Sequence, residues 1–395
     1  MKALDRAQMR EATRLTRAGR LMEAMSLLQR GLGGGMAKAT APQPSLVPRL
    51  TSTIIDGEVA SDASSGRSAA ATRQLDPSAS PANDWKIKLP GLRAGRELRP
   101  ADIAPGAGRY ISGSFSNASG SRSFKLYIPS RGSDEPSPLI VMLHGCTQTA
   151  DDFAAGTRMN FAAELRGCFV VYPEQPQAAN ASKCWNWFRS SDQARDHGEP
   201  ALIAGITRQI MRQHNIDPQR VYVAGLSAGG AAAAIMGETY PDLYAAVGVH
   251  SGIACGSARD LPSAFAAMRG QAGIARADAP RADRRLMPTI VFHGDLDRTV
   301  HPSNGARVIA RATADNQFRE TSVRKSTASG QYSHSVQRDA EGRAVLELWE
   351  LHGAGHAWSG GSPAGSYTSP AGPNATEEML RFFLEHRRTP LEAAR

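Results

Sequence analysis

In Arg220-Val221-Tyr222-Val223-Ala224-Gly225-Leu226-Ser227-Ala228-Gly229-Gly230 the chain changes character half-way. Arg220 to Ala224 is an apolar run of strand length, and Ala228 to Tyr240 is a longer run of small residues that predicts a helix. Between them stands Gly225-Leu226-Ser227-Ala228-Gly229. A bare G-x-S-x-G arises often by chance and can be an ordinary Gly/Ser turn. A strand before it and a helix after it supply the context in which a sharp turn exposes the serine Oγ, the glycines tolerating close approach of neighbouring backbone. Ser227 is therefore read as a nucleophile.

The same alternation extends in both directions. Ser123 to Ile128 alternates as a strand, and Pro138 to Leu143 is a continuous apolar run, as a strand covered on both faces is. Phe153 to Arg166 predicts a helix, Cys168 to Tyr172 a buried strand, and Ala201 to His214 a helix. Ala245–Val249 and Thr289–Phe292 predict further strands, Tyr332 to Trp349 a hairpin turning at 339–342, and Thr376 to His386 an amphipathic closing helix. This pattern gives an α/β fold: a mostly parallel sheet with helices on both faces. The polar, Ala-rich stretch between Gly252 and Pro288 predicts one or two surface helices over a fairly open cleft.

A serine nucleophile needs a base to take its proton and an acid to orient that base. In folds that present the serine on this kind of turn, the chain order is Ser, Asp/Glu, His. Two aspartates compete in His293-Gly294-Asp295-Leu296-Asp297, after a late strand. Asp297, further into the loop, is the preferred acid, and Asp295 the rival that pins the loop. His356, among the small residues of Gly353-Ala354-Gly355-His356-Ala357, is the preferred base; His352, nearer the strand, is its rival. The oxyanion needs backbone N–H donors. Ala228, just after the nucleophile, supplies one, and Cys146, in the loop His144-Gly145-Cys146-Thr147-Gln148, the other.

The chain has 395 residues, 41% hydrophobic and 21% charged, in the range of ordinary globular proteins, and no apolar run long enough to span a membrane. Residues 1–32 predict a helical hairpin around Gly19, and 33–107 a flexible Ala/Ser/Pro/Gly-rich linker; a catalytic domain is expected over 108–390. Of the net charge of +9, +7 lies in residues 1–100, with 16 Lys/Arg against 9 Asp/Glu. No base-stacking aromatics interleave with them, which argues against nucleic acid; docking of residues 1–31 on a surface or granule is the sharper reading and plain solubility the bland one. The N-terminus lacks the apolar core of a secretory signal, so the expectation is a cytoplasmic enzyme, with extracellular as the alternative. The four cysteines, Cys146, Cys168, Cys184 and Cys255, show no C-x-x-C spacing, which makes zinc and thioredoxin-like readings weak.

Several blocks together resemble the polyhydroxybutyrate (PHB) depolymerase family of esterases, related to feruloyl and acetylxylan esterases. They are Leu143-His144-Gly145-Cys146-Thr147-Gln148, Tyr172-Pro173-Glu174-Gln175, Cys184-Trp185-Asn186-Trp187-Phe188, Gly225 to Gly230, His293 to Asp297, and Gly355-His356-Ala357-Trp358-Ser359-Gly360-Gly361. The resemblance spans roughly 108–388. It implies an α/β-hydrolase fold, a Ser-Asp-His triad, an ester substrate that is polymeric in some members, no metal and no cofactor. It leaves polyester, oligomeric hydroxyacid ester and cell-wall ester open as substrates. Secreted members carry a signal peptide and often a substrate-binding domain, neither of which is visible here. Trp185, Trp187 and Trp358 are read either as an apolar wall for substrate or as ordinary packing. Cys146 and Cys184 are expected to lie close enough to bond, tying the oxyanion loop to the tryptophan loop. A non-catalytic granule-binding protein and a peptidase are the rival readings; the apparently intact triad argues against the first.

Overall fold

The computed structural model describes residues 98–130, 135–271, 286–313, 319–327 and 330–388. The expected hairpin over 1–32 and the linker up to residue 97 lie outside the described residues. A ten-stranded sheet runs in the order β1 (Arg109–Asn117), β2 (Gly120–Ile128), β4 (Phe169–Pro173), β3 (Ser137–Leu143), β5 (Ile216–Leu226), β6 (Ala246–His250), β7 (Thr289–Gly294), β10 (Ala344–His352), β9 (Gly330–Arg338), β8 (Arg319–Thr327). From β4 to β10 every neighbour pair is parallel; β1, β2, β9 and β8 extend the two sides antiparallel.

The apolar run of β3 is buried along its whole length, and its period of two divides it between two cores. Leu139, Val141 and Leu143 pack with Ile203, Ile206 and Ile210 of a helix over Gly198–Gln213 and with the alanines of a helix over Ala228–Thr239. Ile140 and Met142 face the other way, onto Phe153 of a helix over Ala150–Thr157, Ala162 and Ala163 of one over Met159–Arg166, and Met379, Leu380, Phe382 and Phe383 of one over Ala375–Glu385. In chain order the described helices are α1 (Pro100–Ile103), α2 (Ala150–Thr157), α3 (Met159–Arg166), α4 (Gly198–Gln213), α5 (Ala228–Thr239), α6 (Leu261–Met268), α7 (Ser303–Thr313) and α8 (Ala375–Glu385).

Several elements differ from the sequence reading. The helix expected over Phe153 to Arg166 is two, broken at Arg158, whose backbone is left-handed at φ 56°. Ahead of the break, Gly156 lies under Gly365: a Cβ on Gly156 would sit 2.8 Å from Thr368 Cγ2 and 3.4 Å from the Gly365 Cα. Close backbone packing there takes precedence over a continuous helix. Residues before Gly108, expected as linker, include α1, and Ile103 and Ala104 pack against the domain core while Asn160 Nδ2 donates to Ile103 O at 2.9 Å. β1 went unread because it is largely exposed and carries no clean alternation. Of the helices expected between Gly252 and Pro288, α6 is present; residues 272–285 lie outside the described residues.

The loops that matter leave the carboxyl ends of the parallel strands. These are the His144 loop after β3, Gln175 after β4, Ser227 after β5, Asp297 after β7 and His356 after β10. Open α/β sheets form their ligand crevices at that edge.

Candidate active site

Ser227 is the hinge between β5 and α5, at φ 58° and ψ −118°. Such a backbone is strained for a residue with a Cβ, and it persists only where its surroundings force it. Here they do. The Ser227 N–H donates to His250 O at 2.9 Å, and its carbonyl accepts from Ala231 N at 2.9 Å. A Cβ on Gly229 would meet Leu143 O at 2.0 Å, and one on Gly225 would meet Gly229 O at 2.3 Å. The two glycines of the motif thus let β3, β5 and α5 close on one another around the serine.

Asp297 is 5% exposed, and its carboxylate is fully committed. Oδ1 accepts from the N–H groups of Thr299 and Val300, both at 2.8 Å, and Oδ2 pairs with His356 Nδ1 at 2.7 Å. Burial by itself would raise the pKa. The hydrogen bonds and charge of the neighbouring histidines and the Val300 amide outweigh burial and hold the carboxylate well below the usual range. The carboxylate therefore stays ionised, fixes the His356 tautomer with the proton on Nδ1, and leaves Nε2 as the acceptor. The rival residues pair with each other. Asp295 Oδ2 lies 3.1 Å from His352 Nδ1, Asp295 Oδ1 accepts from Gly353 N at 2.7 Å, and His352 Nε2 lies 2.9 Å from Ser333 Oγ.

The loop carrying Cys146 runs beside the elbow: a Cβ on Gly145 would lie 3.7 Å from Ser227 Cβ. On either side of Cys146 the amides are engaged, Gly145 N with Gln148 Oε1 at 2.9 Å and Thr147 N with Ser182 O at 2.7 Å. Gln148 Nε2 in turn donates to Asp152 and to Ser366 O, anchoring the loop to α2 and to the segment after the base. Cys146 and Cys184 form a disulfide. Ala228 opens α5, where the first amides of a helix have no intrahelical acceptor.

The three tryptophans fall on the packing side of the two readings. Trp185 and Trp358 are fully buried, and Trp187 keeps 8% exposure. Trp358 stacks on His250 at 5.1 Å, meets Phe153 edge-on at 5.6 Å, and donates Nε1 to Thr376 Oγ1 at 3.0 Å. Trp185 tilts against His144 at 5.7 Å. With no surface left over, neither Trp185 nor Trp358 offers a wall to a ligand.

Two residues with evident positioning roles escaped the sequence reading. His250 sits at the junction of the elbow and the base loop: its carbonyl accepts from Ser227 N, its Nε2 accepts from Ser359 N at 3.0 Å, and Nδ1 faces Ser251 Oγ at 3.1 Å. Complete burial, then the nearby histidines, push its pKa down to about 3, so it is neutral. Glu199 is a buried hub that accepts from Asn186 N and Nδ2, both at 2.7 Å, and from Gln175 Nε2. Gln175 N donates to His144 Nε2 at 3.1 Å, which links the hub to the loop carrying Cys146. Burial foremost, then the charge of Asp192, raise the Glu199 pKa to about 7. Both residues stand outside any motif, and only the fold brings them under the site. Among the described residues no group of three or more His, Cys, Asp or Glu could hold a metal ion.

The sequence model of the family described as Esterase PHB depolymerase matches residues 122–337, from β2 to β9. The chain belongs to this family. Relatives in it or near it include poly(3-hydroxyalkanoate) depolymerase C of Paucimonas lemoignei, 33% identical over 58% of this chain and 57% of that protein. A probable acetylxylan esterase A of Aspergillus flavus is 32% identical over 45% of this chain and 62% of its own length. The chain thus spans 57% and 62% of these two curated relatives. Among solved structures, the acetyl xylan esterase from Aspergillus awamori superposes with a TM-score of 0.57 at 19% identity, covering 70% of this chain and 99% of that one. This likeness carries the fold alone, the α/β-hydrolase architecture.

Proposed function

We propose that this protein is a serine esterase that hydrolyses carboxylic esters through an acyl-enzyme, with poly- or oligo-(3-hydroxybutyrate)-type esters as its substrates. The observation that carries the reading is the left-handed Ser227 elbow together with the buried Asp297–His356 pair, all at the carboxyl edge of the parallel strands. His356 Nε2 takes the Ser227 proton as Oγ bonds to the ester carbonyl carbon. Asp297 stabilises the imidazolium that forms, and the amides of Cys146 and Ala228 meet the oxyanion. The C–O bond to the alcohol then breaks, and His356 returns its proton to the leaving oxygen. Water, deprotonated by His356, releases the acid by the same path.

A hydroxyalkanoate substrate is supported by family membership and by the name of the P. lemoignei relative. The acetylxylan esterases among the relatives support a second reading, an acetylated carbohydrate. The Cys146–Cys184 disulfide favours a compartment where disulfides persist over the cytoplasm expected from the N-terminus. The basic segment 1–31 is proposed to dock the enzyme on a surface or polymer, on its charge alone. The test is a panel of hydroxybutyrate oligomers, acetylated xylan, methyl ferulate and short p-nitrophenyl esters, each with wild type and Ser227→Ala. Cleavage of the oligomers that the variant lacks supports the reading; serine-dependent cleavage of acetylated xylan alone moves the substrate to carbohydrate; no cleavage by folded protein rejects the esterase.

A further inference from the structure

With the tryptophans buried, an aromatic side chain that faces solvent beside the site is Tyr367, 40% exposed. It joins the two loops of the proposed chemistry. Its carbonyl accepts from Trp358 N at 2.7 Å, two residues after His356, and its Oη lies 3.3 Å from Thr147 Oγ1, next to Cys146. Both residues hold left-handed backbones, Tyr367 at φ 52° and Thr147 at φ 68°. Strained backbones cluster at binding sites, which makes this contact a candidate surface for substrate.

The hydroxyl inventory shows what this pair offers. Thr147 Oγ1 donates its single proton to Cys146 O at 2.6 Å, so the Tyr367 hydroxyl is the donor across the 3.3 Å gap. That contact is at the long end for O–H···O and is given up at little loss for a better-placed acceptor.

We propose that the Tyr367 hydroxyl, released from Thr147, donates to a second oxygen of the substrate close to the scissile ester. The site would thus favour esters bearing such an oxygen over simple alkyl esters. The inference rests on the esterase reading. The next ester unit of a hydroxyalkanoate chain and a sugar hydroxyl beside an acetyl group both supply this oxygen, and the test separates them.

The experiment compares wild type with Tyr367→Phe on three substrates: a 3-hydroxybutyrate dimer ester, an acetylated xylobiose and ethyl butyrate. Losing one neutral hydrogen bond to substrate lowers kcat/KM about five- to tenfold. The expected result is that loss for the dimer or for the sugar ester, whichever supplies the oxygen, with ethyl butyrate unchanged. Equal loss on all three substrates, or none on any, overturns the inference. A Ser227→Ala control keeps the two claims apart: activity that survives it sinks the esterase reading, whereas serine-dependent activity indifferent to Tyr367→Phe sinks only this one.

Discussion

The loop after β7 sends out two aspartates two residues apart, and the end of β10 and the turn after it carry two histidines four residues apart. Asp297 takes His356, and Asp295 takes His352, whose other nitrogen meets Ser333. The molecule therefore holds a hydrogen-bonded Ser333–His352–Asp295 chain apart from the proposed triad. What separates the two regions is their surroundings. The Asp297 side chain is fully buried, while that of Asp295 is 43% exposed. Ser227 stands on a strained elbow at a helix start beside a loop of constrained amides. Ser333 lies inside β9, paired with Arg324 on one side and Glu350 on the other, so its neighbourhood is a sheet ladder rather than a set of donors aimed at an oxyanion. A relay of three side chains is not enough; catalysis needs the preorganised charge around it.

Parallel substitutions in the two regions are the strongest way to break this comparison. Ser227→Ala is expected to lower kcat about a million-fold, because triad members act as a unit. Ser333→Ala is expected to stay within about twofold, since no reaction step passes through it. Comparable losses in steady-state assays would erase the distinction. One step down, Asp297→Asn should lower kcat about ten-thousand-fold by favouring the wrong His356 tautomer. Asp295→Asn should leave turnover within about tenfold and lower stability by about 1 kcal/mol through its weakened contacts to His352 and Gly353.

The strand–turn–helix around Ser227 and the apolar run of β3 were readable because local pattern and final environment agree there. The Asp297 and His356 preferences rest on place within the loop and on small neighbours, and the structure shows why rivals stay open: Asp295 shares the loop of Asp297, His352 ends β10 four residues before His356, and the two make a regular pair of their own. Burial separates the two pairs, and burial belongs to the fold. Trp185, Trp187 and Trp358 sit in motifs next to the site, so adjacency in sequence suggested a wall; the side chains point into the core instead. Tyr367 carried no signal, because its approach to Thr147 spans 220 residues.

Smaller effects sharpen the account of how the site is held. Removing the disulfide by Cys184→Ser is expected to lower stability by about 2–4 kcal/mol, read from denaturant unfolding. Turnover should fall with it, because Cys146 is bonded in the loop proposed to meet the oxyanion. An unchanged midpoint would show the loop to be held by Gln148 and Ser182 alone. Smaller still is a pH effect. His250, with its pKa pushed down to about 3, binds a proton in the unfolded chain but not in the folded one below about pH 6.5. Its contribution to stability is full above about pH 6.5 and is lost as pH falls toward about 3, by at most about 1.4 kcal/mol per unit. Glu199, raised to about 7, works in the opposite sense between its unfolded value and 7, gaining stability as pH falls. Urea midpoints at successive pH values should therefore slope less in His250→Asn than in wild type; equal slopes would place the acid sensitivity elsewhere.

The most direct measurement is covalent: react the folded protein with a fluorophosphonate and locate the adduct by peptide mass spectrometry. The account predicts stoichiometric modification of Ser227, none of Ser333, and loss of labelling in Ser227→Ala and Asp297→Asn. An adduct on Ser333, or folded protein that takes up no label at all, would contradict it.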